Sequence, residues 1–230
     1  MYYYNYYSVG YVLVLIGALL MMIAQIKVKG SYHKYSKIRN SKNLTGREVA
    51  LEILSQNDLS YVEIYETKGE LSDHYNPTEE ALYLSSEVYH GTSIASLAIA
   101  SHECGHALQH QEGYRPLVFR NMIIPVCNIS QNIGWAAIFL GLLIGNSSLA
   151  WIGVLLMSMM LLFQIVTLPV EFDASARALS ILNDRYLTEE EYPGAKKMLT
   201  AAALTYIAAM ISTLLSLLRI VLVVMSRDRD

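Results

Sequence analysis

The chain has 230 residues, of which 53% are apolar and 16% charged, and its formal net charge is −3. A soluble domain carries about one quarter charged residues, so this balance favours a membrane protein. The small net charge and the lack of a basic stripe with interleaved aromatic residues argue against a nucleic-acid partner. Two cysteines, Cys104 and Cys127, are too few for a disulfide framework or a cysteine zinc site, and we interpret both as small buried residues.

The first apolar run, residues 9–26, has close to the roughly 20 residues that a helix needs to cross a bilayer. It has neither the basic leader nor the cleavage site of a secretory signal, and we interpret it as an uncleaved first span. Residues 27–47 carry seven Lys and Arg residues, whereas the flank before the span carries none. The positive-inside rule therefore predicts that the segment after the first span is cytoplasmic.

Residues 45–116 form the longest stretch with polar character and are predicted to hold the catalytic region. Thr45 followed by Glu48 is the capping-box pattern that begins a helix. Alternating apolar and charged residues at 61–66 predict a strand. We predict a second short strand at 81–85 and interpret it as a sheet edge with which an extended peptide could pair. The predicted elements are a helix at 46–56, strands at 61–66 and 81–85, a turn region at 71–77 and a helix at 93–112.

The rest of the chain is largely apolar and predicts further helices long enough to cross a membrane. The last of them is either a fourth span or a helix along the membrane interface. The sequence therefore predicts one membrane domain over residues 1–230, mainly α, with a small β-sheet and three or four transmembrane helices. Its later segments are span 2 at about 122–145, span 3 at about 149–170, a helix outside the hydrocarbon at about 170–183 and a C-terminal apolar helix at about 193–225.

The strongest chemical signal is the sequence His102-Glu103-Cys104-Gly105-His106. Histidines four residues apart lie on one face of a helix, so both rings can reach one zinc ion. Glu103 points away from the ion but can reach a water molecule beside it, where a general base is needed. Gly105 leaves room for another backbone to approach. The competing interpretation is two histidines whose hydrogen bonds are satisfied locally.

A catalytic zinc ion takes three protein ligands and leaves one position for water. The candidates for the third ligand are Glu171 and Asp173. Two predicted crossings separate His106 from both candidates and return the chain to the same side of the membrane, so topology supports both, and we favour Glu171. Asp173 has other possible roles, because it could pair with Arg177 one turn later or orient a ligand histidine.

His110 continues the histidine series by four more residues. It lies about 12 Å from His102 along a helix axis, so it cannot share an ion with that residue. The longer metzincin pattern also fails, because positions 109 and 112 are Gln and Glu. We interpret His110 as a polar residue at the helix end.

The chain contains HECGHALQH, followed by two predicted spans and then EFDASARAL, together with LSDHYNP at 71–77 and LTYIAA at 204–209. In these stretches it resembles the bacterial membrane zinc metallopeptidases of the YugP type. These are related to the broader family that includes the HtpX heat-shock protease and the CAAX-prenyl protease. The resemblance implies a gluzincin-like domain, one catalytic zinc ion held by His102, His106 and Glu171, and Glu103 as the base. In the broader family an Asp usually follows the ligand Glu by four residues, where this chain has Ser175.

The predicted reaction is hydrolysis of a peptide bond in a peptide or membrane-protein substrate, at the cytoplasmic face of the cell membrane. Zinc would activate a water molecule and polarise the scissile carbonyl, while Glu103 would carry the proton from the water to the leaving amine. The oxyanion needs a second donor besides zinc. The candidates are Tyr206, His74 and Arg177, and spacing fixes none of them.

Two other functions compete with this prediction. A site-2-type intramembrane protease would place the motif deep in a span, but the apolar run before it, residues 94–100, is short, and polar residues follow it directly. The chain also has no downstream Asn-Pro-Asp-Gly or Leu-Asp-Gly motif. A non-catalytic membrane adaptor could keep a structural zinc ion but would have no use for Glu103. Cleavage preference and oligomeric state do not follow from the sequence.

Overall fold

The structure, a computed structural model, describes residues 2–227, with side chains from Ser8 onward. It confirms the predicted class: a mainly α membrane protein with four candidate membrane-spanning helices and a small sheet. The elements are, in chain order, α1 (Tyr2–Tyr35), α2 (Gly46–Gln56), β1 (Glu63–Thr67), β2 (His74–Asn76), β3 (Ala81–Ser85), α3 (Ser86–Tyr89), α4 (Ile94–Gln111), α5 (Arg115–Ile144), α6 (Ser147–Arg185) and α7 (Tyr192–Arg227).

The chain forms two compact units, each assembled from separate stretches of sequence. The first unit comprises Met1–Gln25, Phe119–Leu168 and Thr205–Asp230, and the second comprises Ile26–Val118 and Pro169–Leu204. Each of the long helices α1, α5, α6 and α7 contributes one part to each unit. That residues 1–230 act as one metallopeptidase domain stays a prediction.

The first unit is built from apolar helical segments. Large apolar side chains are exposed on it, with Leu15 at 68%, Phe139 at 66% and Leu155 at 69%, as expected of surfaces that face lipid. Small residues let its helices pack closely, since a Cβ on Gly141 would lie 2.5 Å from the backbone nitrogen of Ala150. Helices α1, α5, α6 and α7 are each long and apolar enough to cross a membrane.

Span 3 and the helix predicted to follow it from residue 170 are parts of one continuous helix in the structure. Helix α6 runs without a break from Ser147 to Arg185, with Pro169 inside it. Proline removes one hydrogen-bond donor from a helix, and in a long apolar helix the neighbouring turns tolerate that loss. The residues predicted to follow span 3 thus continue the same helix.

The second unit has a conventional apolar core between α2, α4 and the sheet. Val49, Ile53, Leu82, Leu84 and Leu97 are all at most 1% exposed within it. The capping box that predicted α2 is confirmed: the Thr45 hydroxyl accepts from the Glu48 N–H (3.1 Å), and the Glu48 carboxylate accepts from the Thr45 N–H (2.8 Å). Burial of the apolar face of α2 against this core stabilises the helix.

The sheet has the strand order β1-β3-β2, with β1 parallel and β2 antiparallel to β3. The prediction that residues 81–85 form an edge strand was wrong, because β3 pairs on both sides and lies in the middle. The turn predicted at 71–77 contains β2, which has only three residues and no alternation of apolar and polar side chains. Strands β1 and β2 are therefore the edges of this sheet.

Helix α4 carries the HECGH motif through the core of the second unit. Its N-cap is Ser93, whose hydroxyl accepts from the Ser96 N–H (3.0 Å). Most of its residues are buried, and it is not among the helices of the described residues that are long and apolar enough to span a membrane. The motif therefore lies in the folded core of the second unit.

Candidate metal centre

Helices α4 and α6 approach each other most closely at Gly105. A Cβ at this position would lie 2.7 Å from the carbonyl oxygen and 3.1 Å from the Cα of Ala174. No side chain larger than hydrogen fits there without a shift, which confirms that Gly105 leaves room for another backbone. Glu171 lies one turn before Ala174 on α6, so the close approach sets it opposite the two histidines of α4.

Three potential ligand atoms converge between these helices. Nε2 of His102 lies 3.4 Å and Nε2 of His106 lies 3.6 Å from Oε2 of Glu171. The three ligand atoms are all within 4.8 Å of one another, and the two imidazole rings stand at 82° to each other. Glu171 is 4% exposed, and the two histidine side chains retain 14% and 12% exposure. The group is thus shielded from bulk water without being closed off from it.

These distances fit a zinc ion. In a tetrahedral site with bonds of 2.0–2.1 Å, neighbouring ligand atoms lie about 3.4 Å apart. Both histidine–glutamate distances are close to that value. Two imidazole nitrogens and one carboxylate oxygen are also the donor set of a catalytic zinc centre, which leaves a fourth position for water. His102, His106 and Glu171 could therefore hold zinc with little rearrangement.

Gln109 sets the orientation of His106. Its side-chain amide nitrogen donates to the carbonyl oxygen of Val170 (2.8 Å) and to the Asp173 carboxylate (2.8 Å). Its amide oxygen lies 3.0 Å from Nδ1 of His106. Since an amide oxygen can only accept, the His106 ring must donate from Nδ1, and Nε2 keeps its lone pair for a metal. Gln109 is fully buried, so water cannot replace these bonds.

Ser175 occupies the matching place beside His102. Its hydroxyl lies 3.1 Å from Nδ1 of His102. When this hydroxyl accepts a hydrogen bond from Nδ1–H, Nε2 of His102 faces Glu171 with its lone pair, as in His106. Ser175 stands where the broader family usually has Asp, and it makes the contact to a ligand histidine that a carboxylate there could make. Its support of the ring is neutral rather than charged.

Asp173 and Arg177 belong to a hydrogen-bonded network behind the ligands. Oδ2 of Asp173 accepts from Gln109 and from Nε of Arg177 (2.6 Å), and Nη1 of Arg177 donates to Glu112 (2.7 Å). Both roles considered for Asp173 are therefore present, because it pairs with Arg177 and acts on His106 through Gln109. Asp173 is not a member of the ligand group.

Glu103 is turned towards the sheet. It is 7% exposed, and its Oε2 accepts the backbone N–H of Tyr75 on β2 (3.0 Å). The Tyr75 N–H is thus directed at Glu103 rather than at β3, the strand that pairs with β2. One carboxylate oxygen is thus held by the edge strand, and the other remains available for a proton.

Asp73 anchors the start of that strand. Its carboxylate accepts from the N–H (2.7 Å) and the hydroxyl (3.2 Å) of Ser85 at the end of β3. Burial raises the pKa of Asp73, the two Ser85 bonds oppose the rise, and the negative charge of Glu103 adds to it. Asp73 thereby fixes the strand that holds the Glu103 carboxylate.

The structure puts the three candidate oxyanion donors in different surroundings. His74 lies on β2 next to Tyr75, with its ring stacked on Tyr83 at 4.9 Å. Arg177 already has two carboxylate partners, Asp173 and Glu112. Tyr206 is on the part of α7 that belongs to the first unit. Their roles in catalysis stay predictions.

The remaining residues singled out in the sequence have ordinary surroundings. Nδ1 of His110 lies 2.9 Å from the hydroxyl of Tyr75, whose pKa burial raises to about 12. His110 is not part of the ligand group. Cys104 and Cys127 are both buried, as predicted, and burial raises the pKa of the Cys104 thiol. None of these three residues contributes a metal ligand.

Gln109 and the backbone of Tyr75 were not recognised as site residues from the sequence. A signal for Gln109 existed: it follows His106 by three residues and so lies on the same helix face. No comparable signal marked Tyr75, because its contribution is a backbone N–H whose direction depends on the strand pairing.

The chain is similar to proteins described as a zinc metallopeptidase family and as a membrane protease. The family described as "Putative neutral zinc metallopeptidase" matches residues 10–225. The "Putative membrane protease YugP" of Bacillus subtilis (strain 168) is 44% identical over 209 residues, which cover 90% of this chain and 93% of the relative. No solved structure gives a significant match.

Proposed function

This chain belongs to the family described as "Putative neutral zinc metallopeptidase", and from that premise we propose that it is a membrane endopeptidase of the gluzincin type. One zinc ion is held by His102, His106 and Glu171, and Glu103 is the general base. The observation that carries the proposal is the convergence of two imidazole nitrogens and one buried carboxylate at distances suited to zinc. A buried Glu beside them supplies the base that hydrolysis needs.

Zinc, when bound, supplies Lewis-acid chemistry that lowers the pKa of a water molecule and polarises a carbonyl. The residues of the chain perform the proton transfer. Glu103 receives the proton of the attacking water on the oxygen that does not accept from Tyr75, and then delivers it to the leaving amine. Gln109 and Ser175 hold the two imidazole rings so that Nε2 of each faces the centre.

The outer edge of β2 suits an extended peptide substrate. In the described part of the chain β2 pairs with β3 only, so no further strand occupies its other edge. The N–H of Tyr75 on that edge donates to Glu103. A peptide added to this edge would lie beside the base, with main-chain hydrogen bonds aligning the scissile bond. Peptide binding is thus proposed at β2, in place of the strand predicted from the sequence.

We place this site at the cytoplasmic face of the membrane, because seven Lys and Arg residues follow the first predicted span. The exposed residue Lys68 allows a test, since both native cysteines are buried. In a Lys68→Cys variant, a membrane-impermeant maleimide should label lysed cells but not intact spheroplasts. Labelling of intact spheroplasts would place the site on the other face.

The structure favours this proposal over the two alternatives. For a site-2-type protease, α4 should lie within a membrane span, whereas α4 is buried in the core of the second unit and is not a candidate span. A zinc-binding adaptor would need no general base. The Glu103 carboxylate is nevertheless held beside the ligand group by the Tyr75 N–H.

The deciding experiment compares wild-type protein with Glu103→Gln, both purified in detergent with zinc. Zinc content is measured by mass spectrometry of the metal, and hydrolysis is measured on a mixed peptide library. Loss of hydrolysis with zinc retained supports the enzyme. Glu189→Gln is the matched control, because this exposed Glu lies outside the site and should leave both quantities unchanged.

Two other results would each reject part of the proposal. Full hydrolysis by Glu103→Gln would remove Glu103 from the role of base. Wild-type protein that binds zinc but hydrolyses no peptide would point to the adaptor.

A further inference from the structure

A groove in the second unit lies apart from the metal centre, between α1 and α7. Its volume is about 670 Å³. The lining positions recur every three or four residues on each helix, so each helix contributes one face. Neither the ligand histidines nor Glu171 lines it. We call it the α1–α7 groove.

The charge of the α1–α7 groove is entirely positive. Lys27 and Lys34 of α1 and Lys196 and Lys197 of α7 line it, and no Asp or Glu does. Within the described part of the chain, none of these lysines forms an ion pair with a carboxylate. Four ammonium groups around one cavity repel each other unless an anion is shared among them. The groove is therefore suited to an anionic ligand.

The two ends of the groove differ in chemistry. Gly194 at the start of α7 meets Tyr35 at the end of α1, since a Cβ on Gly194 would lie 2.9 Å from Cε1 of Tyr35. The two helices therefore run in opposite directions here, with Lys34, Lys196 and Lys197 towards this end. The other end is lined by Ile26 and Leu204, with Lys27 beside Ile26. Three of the four lysines thus lie towards one end of the groove, and its large apolar side chains lie at the other.

The apolar end leads towards the parts of α1 and α7 that can cross a membrane. Both helices are candidate spans, and their apolar stretches continue beyond Ile26 and Leu204. A phospholipid bound here would have its headgroup among the lysines and its acyl chains along the apolar end. A free phosphate ion would bind the lysines but would make no contact with the apolar end.

We propose that the α1–α7 groove binds the headgroup phosphate of an anionic phospholipid. Basic pockets between membrane helices are suited to such headgroups, and Lys side chains reach them while their apolar stems lie along the helix surface. The ligand is recognised by its negative charge together with its acyl chains. The site differs in place and in chemistry from the zinc centre, so it stands whether or not the chain is a peptidase.

The test uses the full chain in neutral detergent and native mass spectrometry to count bound lipid. The probes are dioctanoyl phosphatidylglycerol, dioctanoyl phosphatidylcholine and inorganic phosphate. The groove variants are Lys27→Gln/Lys196→Gln and Lys34→Gln/Lys197→Gln. The matched control, Lys29→Gln/Lys68→Gln, removes the same charge from two exposed lysines that do not line the groove.

Wild type and control should bind phosphatidylglycerol at least tenfold more tightly than phosphatidylcholine. Each groove variant should weaken phosphatidylglycerol binding on the order of tenfold, as expected for two lysines near a charged headgroup. Equal binding of the two lipids by wild type would overturn the proposal, as would equal weakening in the control. If inorganic phosphate competes as well as the lipid does, the occupant is a free anion and the lipid assignment is wrong.

The lysines are exposed, so their replacement by Gln should leave the fold intact. The second groove variant guards against an effect peculiar to one pair of positions. The comparison of the two lipids on wild-type protein needs no variant at all, and it decides the question if either variant fails to fold.

Discussion

The amide oxygen of Gln109 lies 3.0 Å from Nδ1 of His106, and the amide nitrogen of the same residue is fixed by Val170 and Asp173. Val170 and Asp173 both accept from the amide nitrogen, so they fix which way the Gln109 amide points. Its oxygen then faces His106, and Nδ1 of that ring must carry the proton. A neutral, buried side chain that is not a ligand thus determines which ring nitrogen of His106 can bind metal.

Replacing Gln109 by Leu should weaken zinc binding about 10–100-fold, because His106 loses the group that orients its ring. Zinc affinity is measured by competition with a chelator, and the protonated ring nitrogen by NMR of 15N-labelled histidine. Gln111→Leu is the matched control, since Gln111 is exposed and bonds only to the carbonyl of Asn57. Unchanged zinc affinity in Gln109→Leu would show that the ring is held by other means.

Replacing Gly105 by Ala should lower both zinc affinity and thermal stability. The new methyl group would lie 2.7 Å from the Ala174 carbonyl oxygen, so α4 and α6 must separate. Their separation moves Glu171 and Ser175 away from the histidines. Overpacking of this kind costs about 1–3 kcal/mol. Melting temperature and chelator competition measure the two effects, and a variant with wild-type values for both would contradict the close approach.

Removal of zinc should lower the melting temperature of the wild-type protein. A ligand that binds only the folded state stabilises it by about 2.7 kcal/mol at 100 times its Kd. Glu171→Gln should reduce the rise in melting temperature on adding zinc, because a neutral amide is a poor substitute for the carboxylate. Asp184→Asn removes an exposed charge from the same helix and should respond to zinc like wild type. Equal zinc responses in both variants would exclude Glu171 as a ligand.

The capping box of α2 should make a pH-dependent contribution to stability. Thr45→Ala should cost about 1 kcal/mol near neutral pH. Hydrogen bonds from the Thr45 N–H and hydroxyl lower the pKa of Glu48 in the folded protein. A lowered pKa stabilises the fold above the unfolded pKa of about 4.3, and this contribution is lost as the pH falls through the folded pKa.

The difference in melting temperature between wild type and Thr45→Ala should therefore shrink below about pH 4.3. Glu48→Gln is the control, because Gln keeps an acceptor oxygen but does not titrate. A difference that stays constant with pH in the wild-type comparison would show that the charge of Glu48 contributes nothing through the Thr45 hydroxyl.

Tyr206→Phe should lower turnover while leaving zinc content unchanged, if the Tyr206 hydroxyl donates to the oxyanion. Loss of one such donor costs on the order of 100–1000-fold in kcat. The measurement is kcat on the same peptide library, with His74→Gln and Arg177→Gln assayed beside it. Unchanged kcat in Tyr206→Phe would direct attention to the other two residues.

Local sequence patterns were sufficient for the short helices α2 and α4 and for the two histidines. The Thr45–Glu48 pair marked the start of α2, and the HECGH spacing put two histidines on one face of α4. These predictions depended on interactions between residues at most four apart. The count of predicted crossings supported both Glu171 and Asp173, and the competing roles of Asp173 together with the family resemblance favoured Glu171. The structure brings Glu171 to the histidines.

Features that depend on contacts between distant segments were predicted poorly. The central position of β3 follows from its pairing with both β1 and β2, which no pattern within residues 81–85 records. The identity of β2 was hidden because three residues are too few to show an alternation. Ser175 and Gln109 acquire their roles only when α6 packs on α4, so their contacts with the histidines could not be derived from either helix alone.

The hydrogen bond from the Tyr75 N–H to Glu103 ties the base to the sheet edge at which a peptide is proposed to bind. A strand that pairs with β2 must adjust the backbone that carries this N–H. Peptide docking and the exact position of the base would then be coupled, because both depend on the backbone of Tyr75. Such an enzyme would respond to the main chain of its substrate before it contacts any side chain.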